Sequence, residues 1–390
     1  MRDIPNARPP VVLQVLPGLE TGGVERGTIE IAQALGRAGW MPLVASSGGR
    51  LVPAVARAGG RHFTLPLATK NPLRIWRNAG RLSALIRAQG VDIVHARSRA
   101  PAWSAWLAAR RAGVHFITTF HNVYGEQVPL KHQYNAVMAK GEIVIAISHF
   151  VARTLIARHA VDPGRVRVIP RGADLSQFDP DTVAPDRLAR LTQAWRLPDG
   201  RPTILLPGRL TRWKGQGVLI EALAKLARPE VVCVLVGADQ GRARYTKQLL
   251  ARAAALGVAG QLRIVGHCDD MPAALMLSDV VVNASIEPEG FGRVVVEAQA
   301  MGRPVIATDH GGAMETIDPG ATGWRVPPGD ADALAATLAY VLDLPEADRA
   351  ALGAQARTAV AADFTIAAMQ QATFAVYREV LGMPPEPRAG

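Results

Sequence analysis

Cysteine is almost absent from this chain of 390 residues, which contains only Cys233 and Cys268. Both cysteines stand in apolar, strand-like contexts, and neither has neighbours at the spacing of metal ligands. This pattern disfavours a metal site built on cysteine. We expect two buried, reduced thiols in a reducing compartment.

Long uncharged apolar runs are also missing, since none reaches the roughly 18 residues of a membrane-spanning helix. The apolar stretch at 11–19 is short and leads into Glu20 and glycines without a small-residue cleavage site. We therefore expect a first β-strand there and not a signal peptide. Low-complexity tracts are absent, and a chain of this length with 49% hydrophobic residues predicts two well-packed domains.

Acidic residues are scarce in the first half of the chain. Residues 1–180 contain 23 Lys and Arg against 10 Asp and Glu, whereas residues 181–390 contain 21 against 23. The net charge of +11 therefore resides in the first half. It indicates an anionic partner, either a membrane surface or a nucleic acid. Only six of the 44 basic residues are lysines, so a purely compositional origin is the alternative.

Short apolar runs alternate with stretches of helical period along the whole chain, which predicts parallel, doubly wound α/β sheets. Continuous Val, Ile and Leu runs are typical of strands buried on both faces. The strands predicted for a first sheet are 11–16, 41–46, 62–67, 92–96, 115–120, 143–148 and 166–170. Those predicted for a second sheet are 202–208, 231–237, 262–266, 279–285, 304–308 and 323–326.

A Pro- and Asp-rich stretch without periodicity, at 171–186, separates the two sets of strands and is interpreted as a linker. We therefore predict an N-terminal Rossmann-like domain at 1–180 and a C-terminal one at 181–364, followed by a last helical stretch. Open α/β sheets bind ligands beyond the carboxyl ends of their strands. Two such domains facing each other would form one cleft.

Two nucleotide-binding motifs are missing, because the chain has neither G-x-G-x-x-G nor G-x-x-x-x-G-K-[ST]. This absence disfavours nicotinamide dehydrogenases and P-loop NTPases. The first predicted strand instead leads into a turn with Gly18, Gly22 and Gly23. Such a turn lets backbone N–H groups approach a phosphate at a helix N-terminus, although a simple tight turn is the alternative.

Two cations, Arg209 and Lys214, lie between a predicted strand and a predicted helix of the second domain. Together with the helix dipole they could neutralise a diphosphate without a metal ion. Taken alone, exposed cations near the start of a helix are more often solvated charges.

The stretch 287–312 contains two carboxylates eight positions apart around a Gly-Phe-Gly turn. Glu289 is predicted on a loop after a strand, and Glu297 about two turns into the next helix. A helical carboxylate can accept ribose hydroxyls, as in dinucleotide sites. A loop carboxylate, with the N–H groups of Phe291 and Gly292, can hold sugar hydroxyls. Two solvent-exposed glutamates without a binding role are the alternative. It is disfavoured because glutamates flanking Gly-Phe-Gly are an unusual local composition.

These motifs resemble the retaining glycosyltransferases of family 4, which have the GT-B fold of two facing Rossmann-like domains. The segment 287–298 fits the family's E-x(7)-E motif, and "GRLTRWKG" resembles its diphosphate-binding segment. "ETGGVER" is similar to the family's N-terminal Gly-Gly loop. "TTFHNVYG" is similar to the segment whose histidine, here His121, lies at the donor sugar. Arg171 departs from the family, where many members have Asn.

The resemblance implies a set of functional residues. It implies sugar-binding and catalytic roles for His121 and Glu289, and a ribose contact for Glu297. The implied donor-binding residues are Gly22, Gly23, Arg209, Lys214, Glu289, Gly290, Phe291, Gly292 and Glu297. It also implies that the last helix, within 365–390, crosses back onto the first domain.

The resemblance implies transfer of a hexose-type sugar from a UDP- or GDP-sugar with retention of configuration, and no cofactor. No Asp-x-Asp motif lies at a strand end with plausible metal ligands. The two acidic residues of "HCDDMP", Asp269 and Asp270, are interpreted as a helix N-cap. We therefore expect no required metal ion.

The acceptor is expected on the basic first domain. Arg74, Arg77 and Arg81 recur at near-helical spacing beside Trp76, a combination that suits contact with anionic lipid. A solvated helix face with core tryptophans is the alternative. The stretch 97–111 adds arginines and tryptophans, and it resembles bacterial enzymes that build lipopolysaccharide core or other glycolipids. We expect a peripheral protein on the inner face of the cytoplasmic membrane.

Two other classes of function stay open. A nucleic-acid-binding protein would use the same basic half, but aromatic content is only 5% and no nucleic-acid motif is found. A sugar-nucleotide epimerase or a phosphorylase could share the two-domain scaffold. A nonhydrolysing epimerase, however, would not require this E-x(7)-E motif with its glycines.

Overall fold

The computed structural model describes residues 8–20, 22–123 and 129–385, and it divides the chain into two compact units. The first unit comprises residues 1–170 and 369–390, and the second comprises residues 171–368. The end of "TTFHNVYG" at 124–125 and the termini of the predicted domains at 1–7 and 386–390 lie outside the described residues.

The first unit contains a seven-stranded parallel sheet in the order β3-β2-β1-β4-β5-β6-β7. Its strands are β1 (Val11–Val15), β2 (Met41–Ser46), β3 (Arg61–Thr64), β4 (Ile93–Ala96), β5 (His115–Phe120), β6 (Val144–Ala146) and β7 (Val166–Val168). Its helices are α1 (Gly23–Arg37), α2 (Val52–Arg57), α3 (Pro72–Gln89), α4 (Arg99–Ala112), α5 (Pro129–Asn135) and α6 (His149–His159).

The second unit contains a six-stranded parallel sheet in the order β10-β9-β8-β11-β12-β13. Its strands are β8 (Thr203–Pro207), β9 (Val232–Val236), β10 (Leu262–Gly266), β11 (Val280–Asn283), β12 (Val305–Thr308) and β13 (Trp324–Val326). Its helices are α7 (Pro185–Trp195), α8 (Gln216–Leu226), α9 (Ala243–Ala255), α10 (Met271–Met276), α11 (Arg293–Ala300), α12 (Ala331–Asp343) and α13 (Glu346–Asp363). A last helix, α14, spans Ile366–Val380.

The central strands are buried along their whole length, as the continuous apolar runs predicted. All five residues of β1, β8 and β9 are buried, because helices cover both faces of a doubly wound sheet. Local signals fix the ends of helices. The side chain of Asn71 caps α3 by accepting the amide of Arg74, and α3 ends at Gly90 with φ 59°. The predicted pair of Rossmann-like sheets is confirmed.

The stretch predicted as a linker is more ordered than expected. Ala173 pairs with Thr365 inside the second unit, through the Ala173 amide on Phe364 O at 2.9 Å and the Ile366 amide on Ala173 O at 3.0 Å. Helix α7 begins at Pro185, within the range predicted as linker. Proline at the first helical position explains why a Pro-rich stretch can start a helix.

The C-terminal helix returns to the first unit, as predicted, from Met369 onward. Gln370 Nε2 donates to Glu30 O at 2.7 Å, and the ring of Phe374 lies 4.5 Å from that of Trp40. Tyr377 is fully buried, and its hydroxyl lies 2.7 Å from His95 Nδ1. Among the described residues, no helix is long and apolar enough to cross a bilayer.

Candidate active site

The strand order of the second sheet reverses between β8 and β11, which are neighbours although two strands separate them in sequence. At such a switch point the chain leaves the two strands in opposite directions and opens a crevice at their carboxyl ends. The segment with Arg209 and Lys214 follows β8, and the segment with Glu289 follows β11. Both predicted donor-binding segments therefore lie at this edge of the sheet.

The structure brings Lys214 and Glu289 together. Lys214 Nζ donates to Glu289 Oε1 at 2.7 Å, and the two side chains are each only 13% exposed. Gly215 permits this approach, since it has φ 71° and a Cβ atom there would overlap the carbonyl of Ala284. A partly buried ion pair thus occupies the switch point.

The charged form of Glu289 is favoured at this site. Burial alone would raise the pKa of Glu289, but the nearby Lys214 ammonium and hydrogen bonds from Lys214, Ser285 and Asn283 outweigh burial. Together they hold the pKa of Glu289 below its ordinary value. Glu289 is therefore an ionised hydrogen-bond acceptor at neutral pH.

Asn283 and Ser285 are functional candidates that sequence reasoning missed. Asn283 ends β11, and the Ser285 hydroxyl lies 2.9 Å from Asn283 Oδ1 and also contacts the Glu289 carboxylate. The available signal was their place at the carboxyl end of a predicted strand, four to six positions before Glu289.

The loop after β12 forms hydrogen bonds with the loop that carries Ser285 and Glu289. Thr308 Oγ1 donates to Ser285 O at 2.8 Å, and His310 Nε2 lies 2.7 Å from the same oxygen. The Gly312 amide donates to Glu289 O at 2.8 Å. A Cβ atom at Gly312 would overlap the backbone of Gly290, so glycine is required for this contact. The sequence analysis assigned no role to the residues at 309–312, which follow the predicted strand 304–308.

Helix α11 starts directly after the glutamate loop. Gly292 is its N-cap residue with φ 84°, and Phe291 is buried with its ring 5.7 Å from that of Phe364. Glu297 is the fifth residue of the helix, so the predicted depth of about two turns is wrong and one turn is correct. The Glu297 side chain is buried, and its Oε1 lies 3.4 Å from Arg293 Nε.

The remaining predicted donor residues lie on segments that connect a strand to the following helix. Arg209 lies on the loop after β8 with an exposed side chain, and its carbonyl accepts Gln216 Nε2 at 2.9 Å. Gly22 and Gly23 belong to the first unit, where they form the N-cap and the first residue of α1. His121 follows β5 and is half-buried.

The predicted N-cap before α10 is confirmed for Asp270 and not for Asp269. Asp270 accepts the Ala273 amide at 3.2 Å and receives two hydrogen bonds from Arg187, at 2.8 and 2.6 Å. Within the described ranges, no group of three or more His, Cys, Asp or Glu side chains is placed to hold a metal ion. Cys233 and Cys268 are buried free thiols, as predicted.

The predicted membrane residues lie on one exposed helix. Arg74, Trp76, Arg77 and Arg81 are all exposed on α3, and Trp76 is 62% exposed. The guanidinium of Arg111, on α4, lies 5.7 Å from the centroid of the Trp76 ring.

Two family models and a solved structure match this chain over most of its length. The family model "Glycosyltransferase Family 4" matches residues 21–177, and "Glycosyl transferases group 1" matches residues 189–359. A crystal structure of a glycosyltransferase from Rickettsia africae has a TM-score of 0.89 and 38% identity, and the match covers 96% of this chain and 99% of that one.

Two curated relatives carry more specific names. A GDP-mannose-dependent alpha-(1-6)-phosphatidylinositol monomannoside mannosyltransferase of Mycolicibacterium smegmatis is 31% identical, covering 72% of this chain and 74% of that protein. A D-inositol 3-phosphate glycosyltransferase of Jonesia denitrificans is 32% identical, but this chain spans only 60% of its length. The motifs, the two sheets and these matches agree, and the chain belongs to the group 1 and family 4 glycosyltransferases.

Proposed function

We propose that this glycosyltransferase moves a hexose-type sugar, with retention and without a metal ion, from a UDP- or GDP-sugar to a lipid-linked or lipopolysaccharide acceptor. The observation that carries the proposal is the Lys214–Glu289 pair, 2.7 Å apart at the switch point. A nucleotide sugar offers an anionic diphosphate to the cation and sugar hydroxyls to the carboxylate.

The donor would bind along the carboxyl edge of the second sheet. Lys214 and Arg209 would neutralise the diphosphate, and buried Glu297 would accept ribose hydroxyls. Glu289, whose pKa is held low, would accept sugar hydroxyls, assisted by the amides of Gly290, Phe291 and Gly292. In the first unit, the Gly22–Gly23 turn would present amides to the donor, and His121 would orient the sugar.

The reaction would proceed by cleavage of the bond between the anomeric carbon and the diphosphate oxygen, which keeps the electron pair. The acceptor hydroxyl attacks the same face of the sugar and passes its proton to the departing phosphate, so that configuration is retained. Lys214 and Arg209 would stabilise the negative charge that develops on the leaving group.

The names of the relatives support a GDP-sugar donor and an acceptor that carries a lipid or a phosphorylated polyol. Family membership favours sugar transfer over the epimerase, phosphorylase and nucleic-acid alternatives.

The basic surface of α3 supports a membrane-bound acceptor. Leu73 and Trp76 are large apolar side chains that are 72% and 62% exposed near the start of the helix, next to Arg74 and Arg77. Neither α3 nor α4 contains an acidic residue. Exposed apolar side chains next to cations are typical of surfaces that bind the interface of an anionic bilayer. We therefore place the protein, as part of this proposal, on the inner face of the cytoplasmic membrane.

A panel of UDP- and GDP-sugars, incubated with lipid extracts and excess EDTA, tests the reaction. We expect radiolabel transfer from one donor, an anomeric configuration in the product equal to that of the donor, and less than a twofold effect of EDTA. An inverted product would contradict retention. Loss of transfer in EDTA that Mg²⁺ or Mn²⁺ restores would contradict the metal-free proposal.

A further inference from the structure

Residue His310 lies outside the E-x(7)-E motif, yet it is joined to Glu289 through a short chain of contacts. We propose that His310 is a positioning residue for the donor sugar: it fixes the backbone of Ser285 and thereby the Glu289 carboxylate. This inference rests on the proposed role of Glu289 in sugar binding.

The direction of the His310 hydrogen bond follows from its partner. The Ser285 carbonyl can only accept, so the 2.7 Å contact requires the proton on Nε2 of His310. The same carbonyl accepts Thr308 Oγ1 at 2.8 Å, and Thr308 is buried. Two donors on one carbonyl fix the position of Ser285 at the point where the chain leaves β11.

Ser285 passes this constraint to the carboxylate. Its hydroxyl contacts Glu289 and lies 2.9 Å from Asn283 Oδ1, so a shift of the Ser285 backbone would move a direct partner of Glu289. The Gly312 amide, two residues after His310, holds the Glu289 carbonyl at 2.8 Å. The segment from Thr308 to Gly312 thus fixes both ends of the loop between Ser285 and Glu289.

The loop needs such support because it has no repetitive hydrogen bonding of its own between β11 and α11. Gly311 and Gly312 bring the supporting backbone into contact, since a Cβ atom at Gly311 would lie 2.6 Å from Glu289 O. The two glycines allow close backbone contact at Glu289. The His310 side chain instead donates a hydrogen bond at Ser285, the opposite end of the loop.

Substitution of His310 by Asn or by Gln tests which of its two ring nitrogens supplies the required hydrogen bond. The amide nitrogen of Gln reaches the position of Nε2, whereas that of Asn reaches only the position of Nδ1. Binding of UDP and UDP-glucose, and of GDP and GDP-mannose, is measured by calorimetry for wild type, His310→Asn and His310→Gln. The readout is the ratio of sugar-nucleotide affinity to nucleoside diphosphate affinity, for whichever pair the wild type binds.

We expect His310→Asn to lower this ratio by about tenfold, which is the upper end of the range for one neutral hydrogen bond, and His310→Gln to restore it to within about threefold. Thr308→Val, which removes the other donor to Ser285 with little change of shape, should lower the ratio in the same direction. It provides the test if His310→Asn does not fold.

Equal weakening of both ligands by His310→Asn, or equal ratios for the Asn and Gln variants, would overturn the inference. Glu289→Gln distinguishes this failure from that of the proposed function. A ratio unaffected by Glu289→Gln would refute the sugar-binding role of Glu289 itself. A ratio that falls in Glu289→Gln but not in His310→Asn or Thr308→Val would refute only the positioning role.

Discussion

Lys214 and Glu289 illustrate how partly buried charges are tolerated at the edge of a folded sheet. Each side chain is 13% exposed, and each would be costly to bury alone. The ion pair, with Ser285 and Asn283 as further partners of the carboxylate, offsets that cost. Under the proposed function, a diphosphate sugar would bind here by replacing some of these partners of Lys214 and Glu289.

The substitution Glu289→Gln should lower the free energy of unfolding by about 3 kcal/mol at neutral pH, because it leaves the Lys214 ammonium without its carboxylate. Urea denaturation followed by tryptophan fluorescence measures this, since Trp213 lies beside Lys214. A loss below about 0.5 kcal/mol would mean that the pair contributes as little as a surface salt bridge.

The effect of this substitution should depend on pH. The folded-state pKa of Glu289 is lowered, so its stabilisation is fully present above the unfolded-state pKa of about 4.3 and is lost as pH falls through the folded-state value. The difference in unfolding free energy between wild type and Glu289→Gln should therefore shrink below pH about 4. A difference that grows on acidification would contradict the lowered pKa.

The substitution Gly215→Ala should destabilise the second unit by about 2–4 kcal/mol, because of positive φ and overlap with the Ala284 carbonyl. Gly217→Ala is the matched control, since a Cβ atom there meets no atom within 4 Å and helix α8 favours alanine. We expect the control to stay within about 1 kcal/mol of wild type in thermal unfolding. Equal effects would show that the close approach is not needed.

At the scale of elements, helix α14 is attached to the first unit by polar as well as apolar contacts. Arg37 Nη2 donates to Gln370 Oε1 at 2.6 Å, and His95 links Tyr377 to Thr119 through contacts of 2.7 Å at both ring nitrogens. The buried contacts of His95 favour one register of the helix, since a shift would leave buried polar groups unsatisfied.

The substitution Tyr377→Phe should lower the free energy of unfolding by about 1–3 kcal/mol, because the buried His95 ring loses one partner. Tyr340→Phe, at a tyrosine that is 58% exposed on α12, is the control and should change it by less than about 0.5 kcal/mol. Urea denaturation measures both variants. A neutral Tyr377→Phe would mean that apolar packing alone holds α14.

At the scale of the whole molecule, the charge is distributed unevenly along the chain. The first 180 residues carry an excess of 13 positive charges, whereas the rest carry an excess of two negative ones. Such a division predicts that any anionic surface binds through the first unit, with a strong dependence on salt.

The triple substitution of Arg74, Arg77 and Arg81 to Ser should release the protein from phosphatidylserine vesicles, since each arginine contributes about 1 kcal/mol near an anionic surface. Co-sedimentation at 0.1 M salt measures this, and wild-type binding should weaken at 1 M salt as the Debye length falls from about 10 to 3 Å. Affinity for nucleoside diphosphates should not change.

The matched control changes Arg196, Arg201 and Arg244, three exposed arginines of the second unit, to Ser. It alters net charge equally and should leave vesicle binding intact. Equal release by both triple variants would assign binding to overall charge. Wild-type protein that does not sediment with vesicles at low salt would favour an acceptor that is not membrane-bound.

The sequence by itself determined the strands and helices of this protein and much of the candidate site. Strand and helix signals are local: apolar runs predicted each strand to within a few residues, and Asn71 and Gly90 mark the ends of α3. The E-x(7)-E motif likewise marked Glu289 and Glu297, because its two carboxylates belong to one loop and the helix that follows.

Tertiary structure alone decided which of these residues meet. Lys214 and Glu289 are 75 positions apart and touch because β8 and β11 are neighbours, an order that the apolar pattern of either strand does not encode. Contacts of His310 with Ser285 require β12 beside β11 in the same way. Leu73 is 72% exposed on α3, whereas Leu82 of the same helix is fully buried. Helical period separates these two faces, but only packing against α4 determines which of them is exposed to solvent.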